Sequence, residues 1–531
     1  MLVYKPKKAL VLRLRDPARV TTVIPSAKII NHDGKDYVAV KHGVDEVRVL
    51  RNLGIKAPSP ILYYYDWPGQ FTPFNHQRET AGFLTTHDRA FNLNDIGTGK
   101  TISTLWSYDY LRSIGRAQKL LVITPLSTLE RTWGDELFTS FPHLNYTVLH
   151  GSRDKRLKLL DNRDFDVYLI NHDGIKVRGL LEALADRPDI NVIAIDELAQ
   201  IARSAGAERF RVLRTLTCKQ HERIVWGLTG TPTPNSPTDA WAQCQIISPK
   251  NVPSSMKRFK ESVMRQVGTF SWVPRPDAHK LVQDAMQPAI RYTRDECIDL
   301  PPCVYQTRSV ELTSEQRAAY KNMLETLHHE VDSGEVTAVN AAVKAQKLIQ
   351  IACGVAYGND GAPLLFDASS RLTVVEEVIR EAGTKTIVFV PFVAVLEMVA
   401  EHLKGAGLTV EIIHGGVGKG ERDRIFNAFQ KTDTPQVLVA QPASMSHGLT
   451  LTAASTIIWY APVTSNDTFE QANGRITRPG QKHSQLIVMV EGTDIERKYY
   501  KRLKEKQSAQ NILLEMIRSE RTETEALATT F

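Results

Sequence analysis

The sequence predicts an α/β protein of two lobes, each a mostly parallel sheet with helices on both faces, behind a small N-terminal α+β module. Three observations predict it. Short apolar runs at 120–125, 167–170 and 191–195 lack alternation, the pattern of parallel strands buried on both faces. They end in turn-forming or acidic residues and are separated by helix-period segments, the rhythm of strand–helix–strand units. The same rhythm returns at 386–390, 410–413, 437–440 and 456–460.

The 531 residues are enough for two to four domains. The reading divides them into a module at 1–65, a first lobe at 66–300 with a helical insertion near 245–300, a second lobe at 301–500, and a C-terminal helix and tail at 501–531. Hydrophobic content of 42% and charged content of 24% are those of a soluble protein. No apolar run approaches a membrane span, and the N-terminus has no signal-peptide core. The five cysteines are odd in number and scattered, without metal-ligand spacing; this excludes a zinc cluster or disulfide framework and points to a reducing compartment. A monomer in the cytoplasm, or associated with the nucleoid, is expected. The net charge of +7 suits a polyanionic partner without requiring one.

In the module, 9–15 reads as an edge strand whose end alternates with Arg13 and Arg15. Residues 28–40 read as a hairpin turning at Asp33-Gly34, and 44–53 as a helix ending at Gly54. Its basic residues, Lys5, Lys7 and Lys8 among them, are either a nucleic-acid contact or a solvated face. Prolines 58, 60, 68 and 73 mark the passage to the first lobe.

Phe74 and Gln77 come shortly before a glycine-rich loop. An amide both donates to and accepts from an adenine edge, and an aromatic ring stacks on the base. The loop is Asn94-Asp95-Ile96-Gly97-Thr98-Gly99-Lys100-Thr101, between a strand and a helix. Such a turn aims backbone N–H groups at a phosphate. Lys100 is placed to reach the β/γ-phosphates and Thr101 to ligate Mg²⁺, with Asp95, Gly97, Thr98 and Gly99 forming the cradle. The full pattern has glycine where Asn94 stands, so this copy is imperfect. At the end of 191–195, Asp196 and Glu197 are the expected Mg²⁺-holding and water-polarising carboxylates.

Residues 245–300 interleave Lys257, Arg258, Lys260, Arg265, Arg275, Arg291 and Arg294 with Phe259, Phe270 and Trp272. They read as a nucleic-acid-facing insertion or, in preference, a solvated helical hairpin. Further on, Gln471-Ala472-Asn473-Gly474-Arg475-Ile476-Thr477-Arg478 puts two arginines three apart, a spacing that projects both from one helical face. Planar guanidinium groups suit the charge on a γ-phosphoryl in transit.

Taken in order, these segments resemble superfamily 2 helicases, and among them the Swi/Snf-like DNA-dependent ATPases, over residues 71 to about 500. The glycine loop, Leu228-Thr229-Gly230-Thr231-Pro232 and the two-arginine segment carry the resemblance most specifically. It implies RecA-like lobes with ATP and Mg²⁺ in the cleft between them and DNA across the top. It makes Gln77 the adenine reader and Arg475 and Arg478 arginine fingers. Thr124, Pro125 and Ser127 then hold backbone phosphates, Asn171 falls in the next DNA-contacting motif, and Thr229 and Thr231 link the acid pair to the lobe. In the second lobe Pro391, Gly415, Thr450 and Gln471 take coupling or DNA positions, and Gly448 lies close to the nucleotide. Leu198-Ala199 departs from the family, which carries a polar residue there that couples ATP to the DNA groove. The implied activity is an ATP-driven translocase on duplex or branched DNA, with replication or recombination proteins as further partners. The alternatives are a strand-separating helicase and a non-catalytic DNA-binding scaffold.

Overall fold

In a computed structural model of the chain, the module is an antiparallel sheet ordered β1-β2-β4-β3: β1 (Leu2–Tyr4), β2 (Ala9–Leu12), β3 (Lys28–His32) and β4 (Lys35–Lys41). Residues 1–504 are described, apart from 70–71, 203–205, 219–221, 235, 268–271, 298–301, 333–337, 358–361, 446–450 and 479–480. Asp33 and Gly34, at φ 50° and 73°, make the two-residue turn of the β3–β4 hairpin. β2 lies inside the sheet, not at its edge, and stops at Leu12 before the basic alternation begins. Leu10 and Leu12 need the cover they find beneath the helix Val44–Asn52, where Val47 and Leu50 join them in one core.

The module is fastened to the first lobe. Val44 and Ile61 belong to a core of that lobe, Arg48 pairs with Asp88 at 2.6 Å, and Arg51 Nη1 donates to Thr86 Oγ1 at 2.7 Å. On its surface Lys5 and Lys8 lie 5.8 and 5.4 Å from the ring centres of Tyr63 and Tyr64.

The lobe's strands are β5 (Arg89–Asn92), β6 (Leu120–Thr124), β7 (Tyr146–Val148), β8 (Val167–Asn171), β9 (Val192–Asp196) and β10 (Ile224–Leu228). After a hairpin of β11 (Met264–Gln266) and β12 (Trp272–Pro274), β13 (Ala289–Ile290) returns beside β5. The sheet order is β13-β5-β10-β9-β6-β8-β7, and every neighbouring pair is parallel. Val192 and Ala194 enter one core and Ile193 and Ile195 the other; Leu120 to Ile123 and Val167 to Ile170 alternate likewise. Both faces are dry, which is why the runs carry no polar alternation. All the strand C-termini share one edge, where an open α/β sheet builds its site.

The 245–300 region is not a solvated hairpin. Helices Met256–Val263 and Ala278–Ala285 sink Phe259, Val263, Ala278 and Val282 into the core that also receives Ile193. Their basic residues cover an apolar stripe that the charge pattern masks. Arg291, counted among those residues, is buried.

One compact unit runs from Met1 to Cys297 and a second begins at Ile298. The second holds β14 (Cys303–Ser309), a small hairpin of β15 (Val355–Tyr357) and β16 (Pro363–Leu365), β17 (Lys385–Phe389), β18 (Val410–Ile413), β19 (Val437–Ala440), β20 (Ala454–Trp459) and β21 (Gln485–Glu491). Its main sheet is ordered β14-β21-β20-β17-β19-β18, parallel throughout. Among the described residues no helix is long and apolar enough to cross a membrane.

Arg371 and Glu496 form a fully buried ion pair at 2.8 Å in this unit. Arg371 also donates to Tyr460 O at 2.5 Å, and Glu496 accepts from Gly492 N at 2.8 Å and Thr493 Oγ1 at 3.0 Å. The carboxylate raises the guanidinium pKa above its ordinary value, against the effect of burial. Glu496→Ala strands a buried cation and is expected to cost about 3–5 kcal/mol in chemical denaturation, whereas an apolar replacement of both partners costs far less.

Candidate active site

β5 delivers the glycine loop to the C-terminal edge. Gly97 and Gly99 both stand at φ 87°, and Gly99 caps the helix Lys100–Ser113. A Cβ at Gly99 would collide with the Gln77 amide. That amide spans two elements: Oε1 accepts from Phe74 N at 3.1 Å and Nε2 donates to Thr98 O at 3.2 Å. His76 Nε2 bonds the same carbonyl at 2.9 Å, and burial lowers the His76 pKa. In this structure Gln77 braces the loop. Phe74 stacks on His76 at 5.7 Å and keeps its outer face exposed, beside an open cavity of about 420 Å³ also lined by Glu79, Tyr292 and Glu296.

Asn94 does what a glycine there could not. Its Nδ2 donates to Thr80 Oγ1 at 2.8 Å and its Oδ1 accepts from Tyr292 N at 2.9 Å, so the departure from the phosphate-loop pattern is a built contact. Asp95 pairs with Arg291 and accepts from Arg294 N at 3.0 Å, which turns its carboxylate toward the protein. Lys100 Nζ donates to Asn94 O at 3.0 Å and Asp95 O at 3.1 Å. Burial lowers the Lys100 pKa, opposed by the carboxylates of Glu197, Asp196 and Asp95. Thr101 lies in the helix's first turn, where backbone N–H groups have no partner within the helix.

β9 brings the acid pair to the same edge. Asp196 Oδ2 accepts from Thr124 Oγ1 and Trp133 Nε1, each at 3.0 Å, and Oδ1 accepts from Glu197 N at 3.1 Å. Thr124 is therefore turned inward to the acid; of its loop neighbours Pro125 is buried and Ser127 exposed. Glu197 sits at φ 51°, a left-handed conformation rare for a non-glycine residue and typical of functional turns. Leu198 and Ala199 are buried, and a Cβ at Gly227 would strike Leu198. From the end of β8, beyond the half-buried Asn171, His172 Nε2 bonds the Asp196 carbonyl at 2.9 Å. A polar link between the acid strand and the neighbouring loop thus exists without the family's usual residue.

β10 ends beside the glycine loop. Thr229 N bonds Asn92 O at 3.1 Å, and Thr229 Oγ1 accepts from Thr231 N at 3.2 Å. A Cβ at Gly230 would stand 3.4 Å from Asn94 O and Ile96 N, so the turn packs directly on the loop.

In the second unit Pro391 follows β17, and Gly415, exposed in open space, follows β18. Gln471 is buried and donates to Asp467 Oδ1 at 3.0 Å. Arg475 and Arg478 do not project together from one helical face. The helix Asn466–Asn473 ends before them, Arg475 is 2% exposed, and Arg478 alone is partly exposed, with Nε on Gly474 O at 3.3 Å. Gly474 next to the helix end interrupts the spacing that the sequence suggests. Gly448 and Thr450 lie outside the described residues.

The chain matches the SNF2-related domain over residues 76–353, more than half of its length, and the helicase conserved C-terminal domain over 370–480. It belongs to the SNF2-related family. Protein p41 of Acyrthosiphon pisum secondary endosymbiont phage 1 is 25% identical over 469 residues, covering 84% of this chain and 99% of p41. ISW1 of Saccharomyces cerevisiae, the ATPase of an ISWI chromatin-remodeling complex, is 23% identical over 473 residues, covering 84% of this chain but 40% of ISW1. The SWI2/SNF2 ATPase core of Sulfolobus solfataricus in complex with dsDNA aligns at 23% identity and TM-score 0.39, covering 84% of this chain and 94% of that one.

Arg291 and Trp133, to which the sequence reading gives no site role, are both buried and both fix a carboxylate. A basic residue inside an otherwise apolar stretch after Pro288 is the only signal for Arg291. Gly99→Ala forces a side chain to positive φ and expels the Gln77 amide. It is expected to cost about 1–3 kcal/mol of stability, with Gln77→Ala in the same protein recovering only the collision part, as read by denaturant melts.

Proposed function

We propose that this SNF2-family chain hydrolyses ATP and uses the energy to translocate on duplex or branched DNA, in replication, recombination or repair. One observation carries the reading. A half-buried Lys100 at a glycine-capped helix N-terminus lies in the field of Asp196 and Glu197, on the edge to which five parallel strand ends deliver the predicted motifs.

The donor set fits Mg²⁺, since Thr101 and Asp196 offer hard oxygen atoms and the Asp196 carboxylate is fixed by three donors. Thr101 and Asp196 would hold Mg²⁺, which would supply neutralisation of phosphate charge. Lys100 exchanges its two carbonyls for phosphate oxygens. Glu197, held out of the strand by its left-handed backbone, orients the attacking water. Phe74 offers an exposed face for the base, and Gln77 reads the base edge by exchanging one of its present partners. Arg478, the arginine with solvent access, serves as the finger, while buried Arg475 secures the turn that presents it.

Lys5 and Lys8 over Tyr63 and Tyr64 support a nucleic-acid contact by the module. Because Val44 is part of the lobe's core, point changes test this better than removal of the module. Lys5→Ala with Lys8→Ala is expected to reduce the preference for forked over linear duplex in a binding titration; equal preference retained would remove the module from DNA recognition.

The deciding experiment is ATP turnover by the purified chain alone and with single-stranded, duplex and forked DNA and RNA. Stimulation by duplex or fork is expected. Lys100→Ala abolishes turnover, Glu197→Gln binds ATP without turning it over, and Arg478→Ala slows hydrolysis about 10³-fold. Normal turnover in Glu197→Gln would sink the assignment, and no turnover with any nucleic acid would favour the non-catalytic scaffold.

A further inference from the structure

The chain between β10 and β13 climbs from one edge of the first lobe's sheet to the other and back. At its foot, Ser248 Oγ donates to Ala285 O at 2.7 Å and Asn251 Nδ2 to Gln287 O at 2.8 Å, beside the start of β13. The helix Met256–Val263 rises from this edge and the helix Ala278–Ala285 returns to it. The β11–β12 hairpin between them is therefore set at the opposite edge, where the parallel strands end. There Ser236 Oγ, a few residues past the Thr229–Thr231 turn, donates to Met264 Sδ at 3.9 Å. The root of the hairpin thus stands on the edge that carries the glycine loop and the acid pair.

The hairpin is braced against its helix. Arg275 N donates to Val263 O at 3.0 Å, Arg275 Nε donates to Glu261 O at 3.1 Å and Met264 O at 3.2 Å, and the Lys260 ammonium lies 4.3 Å from the centre of the Trp272 ring. On this platform Lys257, Arg258 and Arg265 are exposed. Glu261 follows Lys257 and Arg258 at ion-pair spacing on the helix. Even so, among the described residues none of the three cations pairs with a carboxylate. Residues 250–284 as a whole hold seven lysines and arginines against three carboxylates.

We propose that the helix Met256–Val263 and the β11–β12 hairpin form a second surface for the backbone of duplex DNA, gripped by Lys257, Arg258 and Arg265 and separate from the motif loops. The surface rests on the DNA reading above and adds to it a part of the chain that no motif covers. Cations left unneutralised attract a polyanion, and a braced scaffold spares the cost of ordering them on contact. Contacts to phosphate read no sequence, which suits a protein that moves along DNA.

The measurement is the affinity of the full chain for labelled duplex DNA between about 50 and 200 mM salt. The variant Lys257→Ala, Arg258→Ala, Arg265→Ala is expected to lower the slope of log affinity against log salt by about 2–3, since each phosphate contact contributes about 0.9. Lys257→Arg, Arg258→Lys, Arg265→Lys keeps the charges and is expected to keep the slope. A control removes as much charge elsewhere, by Lys158→Ala, Arg163→Ala and Arg214→Ala; these residues are exposed too, near the edge where the strands begin, and the slope is expected to stay. An unchanged slope in the first variant overturns the proposal. An equal loss in the control, which would mark net charge, or in the charge-keeping variant, which would mark packing, overturns it as well. Failure of the wild type to bind duplex at any salt overturns the DNA reading beneath it, which keeps the two failures apart.

Discussion

A primary ammonium partly withdrawn from water must be given oxygen atoms, and the first lobe is arranged around that demand at Lys100. Two loop carbonyls meet it directly, and three carboxylates supply field. Each of those groups has to be held in turn. The loop carbonyls are fixed by the seam with 288–294, Asp196 by Thr124 and Trp133, and Thr98 by Gln77 and His76. The result is a set of oxygen partners, of which the proposed function has phosphate replace the two carbonyls.

The parallel sheet makes this possible at low cost in chain geometry. Strands running one way put all their turns on one edge, so residues distant in sequence converge without long loops. The same feature makes the fold legible. Continuous apolar runs at 120–125, 167–170 and 191–195 are the visible trace of strands with a dry core on either side. Asp33-Gly34 and the helix stop at Gly54 were equally plain, because local turn chemistry decides them.

Other features depend on tertiary partners that a linear reading does not contain. The central position of β2 follows from β1, a three-residue strand with no pattern to speak of. The buried helices of 245–300 look solvated because long basic side chains flank a narrow apolar stripe. Arg291 looks like one more surface cation until Asp95 and two carbonyls are seen around it. Arg475 and Arg478 share a helical spacing, yet the turn after Asn473 buries one and leaves the other partly open. For Asn94 the pattern-based expectation of glycine is overridden by two side-chain hydrogen bonds.

Glu197 carries a consequence for how the protein tolerates change. Its backbone stands at φ 51°, where glycine or asparagine rests more easily than a glutamate. Under the proposed function, stability and chemistry therefore prefer different residues at one position. A library sorted for heat resistance alone drifts toward glycine or asparagine there and fills with well-folded proteins that lack the carboxylate to which the proposed function assigns the water. Only a selection that also demands work from the molecule keeps the glutamate.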